Sequence, residues 1–292
     1  MKLVKFGSVI FLVTLVLFLT SCNTYKHTNT KQITVTIPPL QGIVNEIVGE
    51  DFKINILLPE GASPEAYSPT INQVSQLEDS EFVFYVGTLP FENELISKVK
   101  QTKGVNLSNG VDLLTGSCHH LDHHTHNGHH HHSSDPHIWF SVEELSTIVD
   151  NIDTALMKAY PDSTKYHTNC QGIKDKLTAK KQQYQQLLKD FPKSFLIYHP
   201  ALGYLANSLG LNQIALENEG KSPTPAALAG IIELVKQEGI EVMMYQSEYP
   251  IDTVKPIAEI LGVKLVEINP LSTDIIGEID RVINILRSDY EQ

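Results

Sequence analysis

The chain has 292 residues, and its 34 acidic residues outnumber its 22 lysines and arginines, which leaves a net charge of −12 with histidine neutral. That balance argues against a surface for nucleic acid or acidic phospholipid and favours cationic partners. The length is enough for two hydrophobic cores.

The amino-terminal segment has the features of an export signal. Lys2 and Lys5 precede an apolar run of 11 residues, 9–19, whereas a spanning helix needs roughly 20. The run leads into LTSC, residues 19–22, which resembles the lipobox of bacterial lipoproteins. We therefore expect a signal peptide over residues 1–21, lipidation of Cys22 and a polar tether over residues 22–32. An ordinary secretory signal with an incidental cysteine is the alternative.

Strand-like and helix-like stretches alternate from Ile33 onward. ITVTIPP, FKINILL and EFVFYVG predict strands, and LQGIVNEIVGE and LPFENELISKVKQ predict helices among them. After Phe191 the strands SFLIYHP, NQIAL, IEVMMYQ and VKLVEINP alternate with three helices, ALGYLANSLG, PAALAGIIELVKQEG and DTVKPIAEILG. Thr224 with Pro225 predicts one helix start, and Gly210 one helix end. Continuous apolar strands separated by helices predict parallel sheets covered on both faces. The expected fold is therefore α/β with two lobes, residues 33–140 and 193–292.

A helical linker, residues 141–192, is expected between the lobes. Its segment 164–191 is rich in lysine and glutamine and lacks proline. Apolar side chains recur there at helical spacing and form one stripe: Tyr166, Cys170, Ile173, Leu177, Tyr184, Leu188 and Phe191. A helix of that length runs roughly 40 Å. We interpret it as a rigid strut between the lobes, with a coiled-coil helix as the alternative.

A histidine-rich loop, residues 117–134, lies near the end of the first lobe. Nine of the 13 histidines fall within it: His119, His120, His123, His124, His126, His129, His130, His131 and His132. Leu121 is its one sizeable apolar side chain, so burial cannot order it. Imidazole suits Zn, Cu and Ni, and a flexible tract offers many weak ligand sets. We predict an auxiliary metal-collecting loop; an internal tag or a solvated spacer explains the pattern less well.

Two further histidines occupy positions of a different kind. His137 lies in DPHIWFS, where proline and large apolar neighbours favour an ordered backbone, and His199 follows the buried strand of FLIYHP. Ligands of open α/β sheets bind outside the carboxyl ends of the strands. The two imidazoles are therefore predicted to face each other across a cleft.

These motifs together carry a resemblance to a known family. DPHIW after a histidine-rich loop, YHPALGYLANSLGL, the lysine- and glutamine-rich helix and the lipobox resemble the zinc- and manganese-specific solute-binding lipoproteins of ABC importers, the ZnuA/TroA-like family. The resemblance implies two α/β lobes joined by a long backbone helix. It also implies one metal ion in the cleft, with His137 and His199 as ligands from the two sides.

The remaining ligands depart from the family pattern. Glu65 stands where family members usually carry a histidine, in PEGASPEAYSPT. A carboxylate is an accepted zinc ligand, but oxygen ligands move a site towards harder ions such as Mn²⁺, while the imidazoles of the loop favour Zn²⁺. For the fourth position, Asp274 is the nearest carboxylate after the last strand, and water is an equal candidate.

The expected function is that of an extracytoplasmic receptor that captures Zn²⁺ and delivers it to an ABC permease and its ATPase subunit. We expect a monomer in the periplasm or on the cell surface, held at a membrane through its lipid alone, without enzymatic activity. Cys118 and Cys170 are expected to stay unpaired, although export would permit a disulfide. The alternatives are a Mn²⁺-specific protein of the same family, a zinc hydrolase, and a surface adhesin or metal buffer. The absence of an HExxH motif argues against a hydrolase.

Overall fold

The computed structural model describes residues 31–97, 103–115, 134–191, 194–217, 221 and 223–290. The predicted signal peptide, Cys22 and most of the tether lie outside the described residues, as do Cys118 and His119–His132. Every helix of the described part is too short or too polar to span a bilayer.

The first lobe is a parallel four-stranded sheet with helices between its strands. Its elements are β1 (Lys31–Val35), α1 (Pro38–Val48), β2 (Phe52–Ile56), α2 (Ile71–Gln76), β3 (Phe82–Tyr85), α3 (Pro90–Ile96) and β4 (Gly104–Asn106). The strand order is β2-β1-β3-β4. Val35 and Phe84 pair in register where β1 lies beside β3, and both side chains are fully buried. The chain proceeds from β1 to β2 on one side and from β3 to β4 on the other, so the connections that follow β1 and β3 lead in opposite directions. This leaves a crevice between them at the carboxyl ends of the strands.

Two long helices, α4 (Val142–Ala159) and α5 (Thr164–Leu187), follow the first lobe. The predicted apolar stripe of α5 is buried through Tyr184. Towards its start, Asn169 Nδ2 donates to the Ile47 carbonyl of α1 at 2.8 Å. Towards its end, Lys180 and Tyr184 both contact the Asp280 carboxylate near the carboxyl terminus. The predicted strut that joins the lobes is therefore confirmed, although the helix ends at Leu187 rather than at Phe191.

The second lobe repeats the topology of the first. Its elements are β5 (Ser194–Ile197), α6 (Gly203–Leu209), β6 (Asn212–Ala215), α7 (Pro225–Glu238), β7 (Val242–Gln246), α8 (Ile251–Leu261), β8 (Lys264–Ile268) and α9 (Ile275–Tyr290). The parallel order is β6-β5-β7-β8. The predicted helix signals are observed: Thr224 Oγ1 accepts the Ala227 amide at 3.2 Å, and Gly210 ends α6 with φ +68°, a conformation that costs glycine little.

The hydrophobic core does not divide at the lobe boundary. One cluster of buried side chains includes Val35 of β1, Ile173 of α5 and Ile197 of β5, and a smaller cluster lies under α7 and α8. The length of the chain predicted room for two cores, and the described residues form two clusters, of which the larger extends into both lobes. Buried side chains of α4, α5 and α9 belong to the same cluster as strand residues of both sheets, and this makes the core continuous.

Replacing Ile173 with alanine tests the contribution of this shared core. Ile173 is 1% exposed in the middle of α5, so the cavity should lower the free energy of unfolding by about 2–5 kcal/mol. Gln182→Ala, on the exposed face of the same helix, should change it by less than ~0.5 kcal/mol. Denaturant unfolding of both variants measures the difference, and equal small losses would contradict burial of the stripe.

Candidate metal site

Three side chains from different parts of the chain meet where the two sheets face each other. Glu65 lies in the connection after β2, His137 precedes a short 3-10 turn that leads into α4, and His199 follows β5. Each position is outside the carboxyl end of a parallel strand or at the start of a helix, as predicted. Both imidazoles are buried, and the side chain of Glu65 is 38% exposed. Glu65 therefore lies on the open side of the group.

The distances within the group match the size of a metal site. One oxygen of Glu65, Oε1, lies 3.2 Å from His199 Nε2 and 3.8 Å from His137 Nε2. The ring centroids of the two histidines are 5.3 Å apart. One ligand atom from each of the three residues lies within 4.8 Å of the others. Separations of this size are close to those expected for ligand atoms of one zinc ion, whose bonds are roughly 2.0–2.2 Å long.

Buried carboxylates orient both imidazoles. Asp135 Oδ1 lies 2.8 Å from His137 Nδ1 and also accepts the backbone amide of His137 at 2.9 Å. Glu217, at the end of β6, makes the equivalent hydrogen bond with Nδ1 of His199. A carboxylate at Nδ1 fixes the tautomer and leaves Nε2 free to act as a ligand. Asp135 and Glu217 therefore position the two imidazoles, a role that the sequence analysis did not assign to either residue.

Aromatic rings and a hydrogen bond to the backbone also restrict the positions of the two imidazoles. The indole of Trp139 lies 5.2 Å from His137 between centroids, and its Nε1 donates to the Pro270 carbonyl of the second lobe at 2.8 Å. The Tyr249 ring lies 5.6 Å from His199, and Gln246 Nε2 donates to the His199 carbonyl at 2.6 Å. The orientation of both rings is thus determined by packing and hydrogen bonds within the chain itself.

The carboxylates and imidazoles of the group stabilise each other's charged forms. Burial disfavours the protonated imidazole of His199, but the hydrogen bonds to Glu217 and Glu65 outweigh it and raise its pKa to about 9. Burial likewise opposes ionisation of Glu65, yet His199 and then His137 lower the pKa of that carboxyl. Without an ion, a proton on His199 supplies positive charge that a metal ion would replace.

Asp274, the predicted candidate for a fourth ligand, lies outside the group. Its carboxylate is exposed and accepts the Gly277 amide at 3.0 Å, which caps the start of α9. Oxygens that cap a helix start satisfy amides that have no partner inside the helix. The structure therefore brings Glu65, His137 and His199 together and gives Asp274 a different set of contacts.

The base of the histidine-rich loop lies beside the group. Thr115 and Ser134 form an antiparallel bridge, and the amide of Asp135 donates to the Leu114 carbonyl at 2.8 Å. The loop histidines themselves lie outside the described residues, so their role stays a prediction. Cys170 is buried in α5, and its pairing with Cys118 stays untested because Cys118 lies outside the described residues.

Removing the charge of Glu217, whose carboxylate is hydrogen-bonded to His199, should change the free energy of unfolding in a pH-dependent way. In the metal-free protein, His199 has a pKa of about 9 in the folded state, against a value near 6.5 in the unfolded state. Its contribution to stability is therefore fully present below pH 6.5 and is lost as the pH rises through 9. Glu217→Gln should therefore lower the free energy of unfolding by about 1–3 kcal/mol at pH 6 and by much less at pH 10. Glu241→Gln, an exposed carboxylate of the same lobe, is the control. Equal losses for Glu217→Gln at both pH values would contradict this electrostatic role.

Comparison with known proteins places the chain in a family. Residues 33–291 match the model of a family described as zinc-uptake complex component A, periplasmic. The zinc-binding protein AdcA of Streptococcus pyogenes is 29% identical over 258 residues, which cover 82% of this chain and 50% of AdcA. The high-affinity zinc uptake system protein ZnuA of Bacillus subtilis is 26% identical, over 82% of this chain and 78% of that protein.

A solved structure agrees with both matches. A crystal structure of ZnuA superimposes with a TM-score of 0.79 at 25% identity and covers 89% of this chain and 99% of that one. The chain spans about half the length of the streptococcal relative. The two-lobed α/β fold predicted from the sequence is confirmed by the structure and by this likeness. The chain belongs to the family of zinc-uptake complex component A.

Proposed function

We propose that this protein is a receptor that captures one Zn²⁺ ion outside the cytoplasm and delivers it to an ABC importer. The observation that carries the proposal is the convergence of Glu65, His137 and His199 within 4.8 Å. Family membership supports it, because the family is a component of a zinc-uptake complex. The ion is the cargo, so the site has to bind and release it rather than use it for turnover.

The donor set favours zinc over other common divalent ions. Imidazole nitrogen is a good ligand for Zn²⁺, and two histidines with one carboxylate are a usual zinc set. Magnesium and calcium prefer sites built from oxygen atoms. Mn²⁺ accepts more oxygen ligands than zinc does, so the carboxylate of Glu65 keeps manganese as the alternative cargo. The relatives AdcA and ZnuA are described as zinc proteins, which supports zinc.

The shape of the fold suits a receptor that hands over its cargo. Glu65 is the exposed member of the group, while His137 and His199 are buried. Release therefore requires the ion to leave on the side of Glu65, and we propose that a permease, driven by its ATPase subunit, takes the ion there. We propose that the protein acts as a monomer, because the three donors all come from one chain.

The proposed location is the extracytoplasmic face of a bacterial membrane. The support is the signal-like run before LTSC, and a streptococcal relative that is described as a zinc-binding lipoprotein. Lipid on Cys22 would hold the protein at the membrane, with the polar residues up to Gln32 as the tether. The histidine-rich loop would then raise the local metal concentration beside the cleft.

Single substitutions in the group should abolish tight binding of one ion. His137→Ala and His199→Ala each remove one of three donors, and we expect each to weaken Zn²⁺ binding more than ~100-fold, since loss of an orienting partner alone costs 10–100-fold. Glu65→Ala should lose less, because water can replace an exposed carboxylate. Competition titration of the metal-free protein, first with Zn²⁺ against a chelator and then with Mn²⁺ against Zn²⁺, measures both affinity and cargo choice.

The control for that experiment is His167→Ala. His167 is an exposed histidine on α5 whose Nδ1 contacts Asp153, so its removal should leave zinc binding unchanged. Wild-type affinity in both site variants would overturn the site. Tighter binding of Mn²⁺ than of Zn²⁺ would make manganese the cargo.

Replacing Cys22 with serine tests the anchor. The serine hydroxyl cannot form the thioether to lipid, so the variant should leave the membrane fraction of cells that express the full chain. Immunoblots of membrane and soluble fractions measure the distribution, and Cys170→Ser, a buried thiol, is the matched control. Unchanged membrane attachment of Cys22→Ser would remove the lipoprotein assignment.

A further inference from the structure

A fourth carboxylate, that of Glu248, lies beside the group of Glu65, His137 and His199. It follows β7, which is the direct neighbour of β5 in the second sheet. Parallel neighbours end at the same edge of a sheet, so the turn after β7 lies next to His199 after β5. Two contacts hold this turn in place: Gln246 Nε2 donates to the His199 carbonyl at 2.6 Å, and the Ser247 amide donates to Ile268 at 3.0 Å.

The Glu248 side chain is turned inward without a partner for one of its oxygens. Within the described residues, Oε2 of Glu248 is buried and accepts no hydrogen bond, whereas Asp135 and Glu217 each hold an imidazole Nδ1. An unpaired carboxylate oxygen away from water is energetically unfavourable. A protein tolerates such an atom more readily where a ligand satisfies it, and a divalent cation between the lobes would do so.

We propose that Glu248 is the fourth ligand of the captured ion and completes the set begun by Glu65, His137 and His199. This inference rests on the proposed function. Glu248 lies outside the three residues whose ligand atoms are within 4.8 Å of one another, so its carboxylate reaches the ion by rotating its side chain towards the histidines. Two carboxylates and two neutral imidazoles then balance the charge of a divalent ion, and the four donors match the usual coordination number of zinc.

The same assignment bears on cargo choice. A site of two nitrogen and two carboxylate donors is harder than one with three imidazoles, so it accepts Mn²⁺ more readily. Glu248 is therefore a specificity-determining residue: its loss should weaken the binding of Mn²⁺ more than that of Zn²⁺. The sequence pattern pointed instead to the loop after β8, where Asp274 caps α9.

The test is Glu248→Gln, which keeps the size of the side chain and removes its charge. In competition titrations on the metal-free full chain, we expect a loss of about 10-fold or more for Zn²⁺ and a larger loss for Mn²⁺. Visible absorption of the Co²⁺-loaded protein should also change, because a carboxylate leaves the ligand set. Glu241→Gln, at the other end of β7 and exposed, removes the same charge from the lobe and should leave affinity and spectrum unchanged.

A stability measurement separates a ligand from a structural residue. If Glu248 is a metal ligand, the metal-free Glu248→Gln variant should have a Tm equal to or higher than that of the metal-free wild type, because the substitution removes an unpaired charge. Lower stability of the metal-free variant would overturn the inference, and so would wild-type Zn²⁺ affinity with an unchanged Co²⁺ spectrum, which would leave water in the fourth position.

His199→Ala, measured in parallel, separates the two levels of the proposal. Loss of tight binding in His199→Ala with full binding in Glu248→Gln refutes the role of Glu248 alone. Full binding in both variants refutes the proposed site itself, and with it the receptor function.

Discussion

A carboxylate hydrogen-bonded to Nδ1 of each imidazole is the interaction on which the geometry of the candidate metal site depends. Asp135 and Glu217 determine which nitrogen of His137 and of His199 is available, and in which direction it points. Since the two rings come from opposite sides of the cleft, a small rotation of either would separate the two Nε2 atoms. The burial of both carboxylates makes these hydrogen bonds strong, because water does not compete for the carboxylate oxygens. The geometry of the candidate metal site is therefore determined by two carboxylates that lie outside the group of Glu65, His137 and His199.

The position of these carboxylates follows from sheet order. In the second lobe the order β6-β5-β7 places the ends of three strands side by side, and they carry Glu217, His199 and Glu248 respectively. The three residues are 18 to 49 positions apart in the chain but share one edge. The first lobe contributes Asp135 and His137 through a turn stabilised by the neighbouring proline, and contributes Glu65 through the connection after β2. Each lobe thus brings an imidazole and its orienting carboxylate as a unit.

Local patterns in the sequence predicted most of the fold and part of the site. The apolar stripe of α5 and the strand ends before His199 are local signals, and the structure agrees with them. The contact of Glu217 with His199 and the proposed role of Glu248 depend on which strands become neighbours, and no local pattern contains that information. Asp274 illustrates the opposite problem. It was the nearest carboxylate after the last strand, but it lies three residues before Gly277, the spacing of a helix cap, and its Oδ1 accepts the Gly277 amide.

The bridge between Thr115 and Ser134 has an evolutionary consequence. The bridge joins the two ends of the histidine-rich segment before the chain reaches Asp135, so the backbone that orients His137 is anchored independently of what lies between. Changes of length or composition between residues 116 and 133 are therefore expected to leave Glu65, His137 and His199 in place. The histidine content of this segment is then free to vary independently of the cleft.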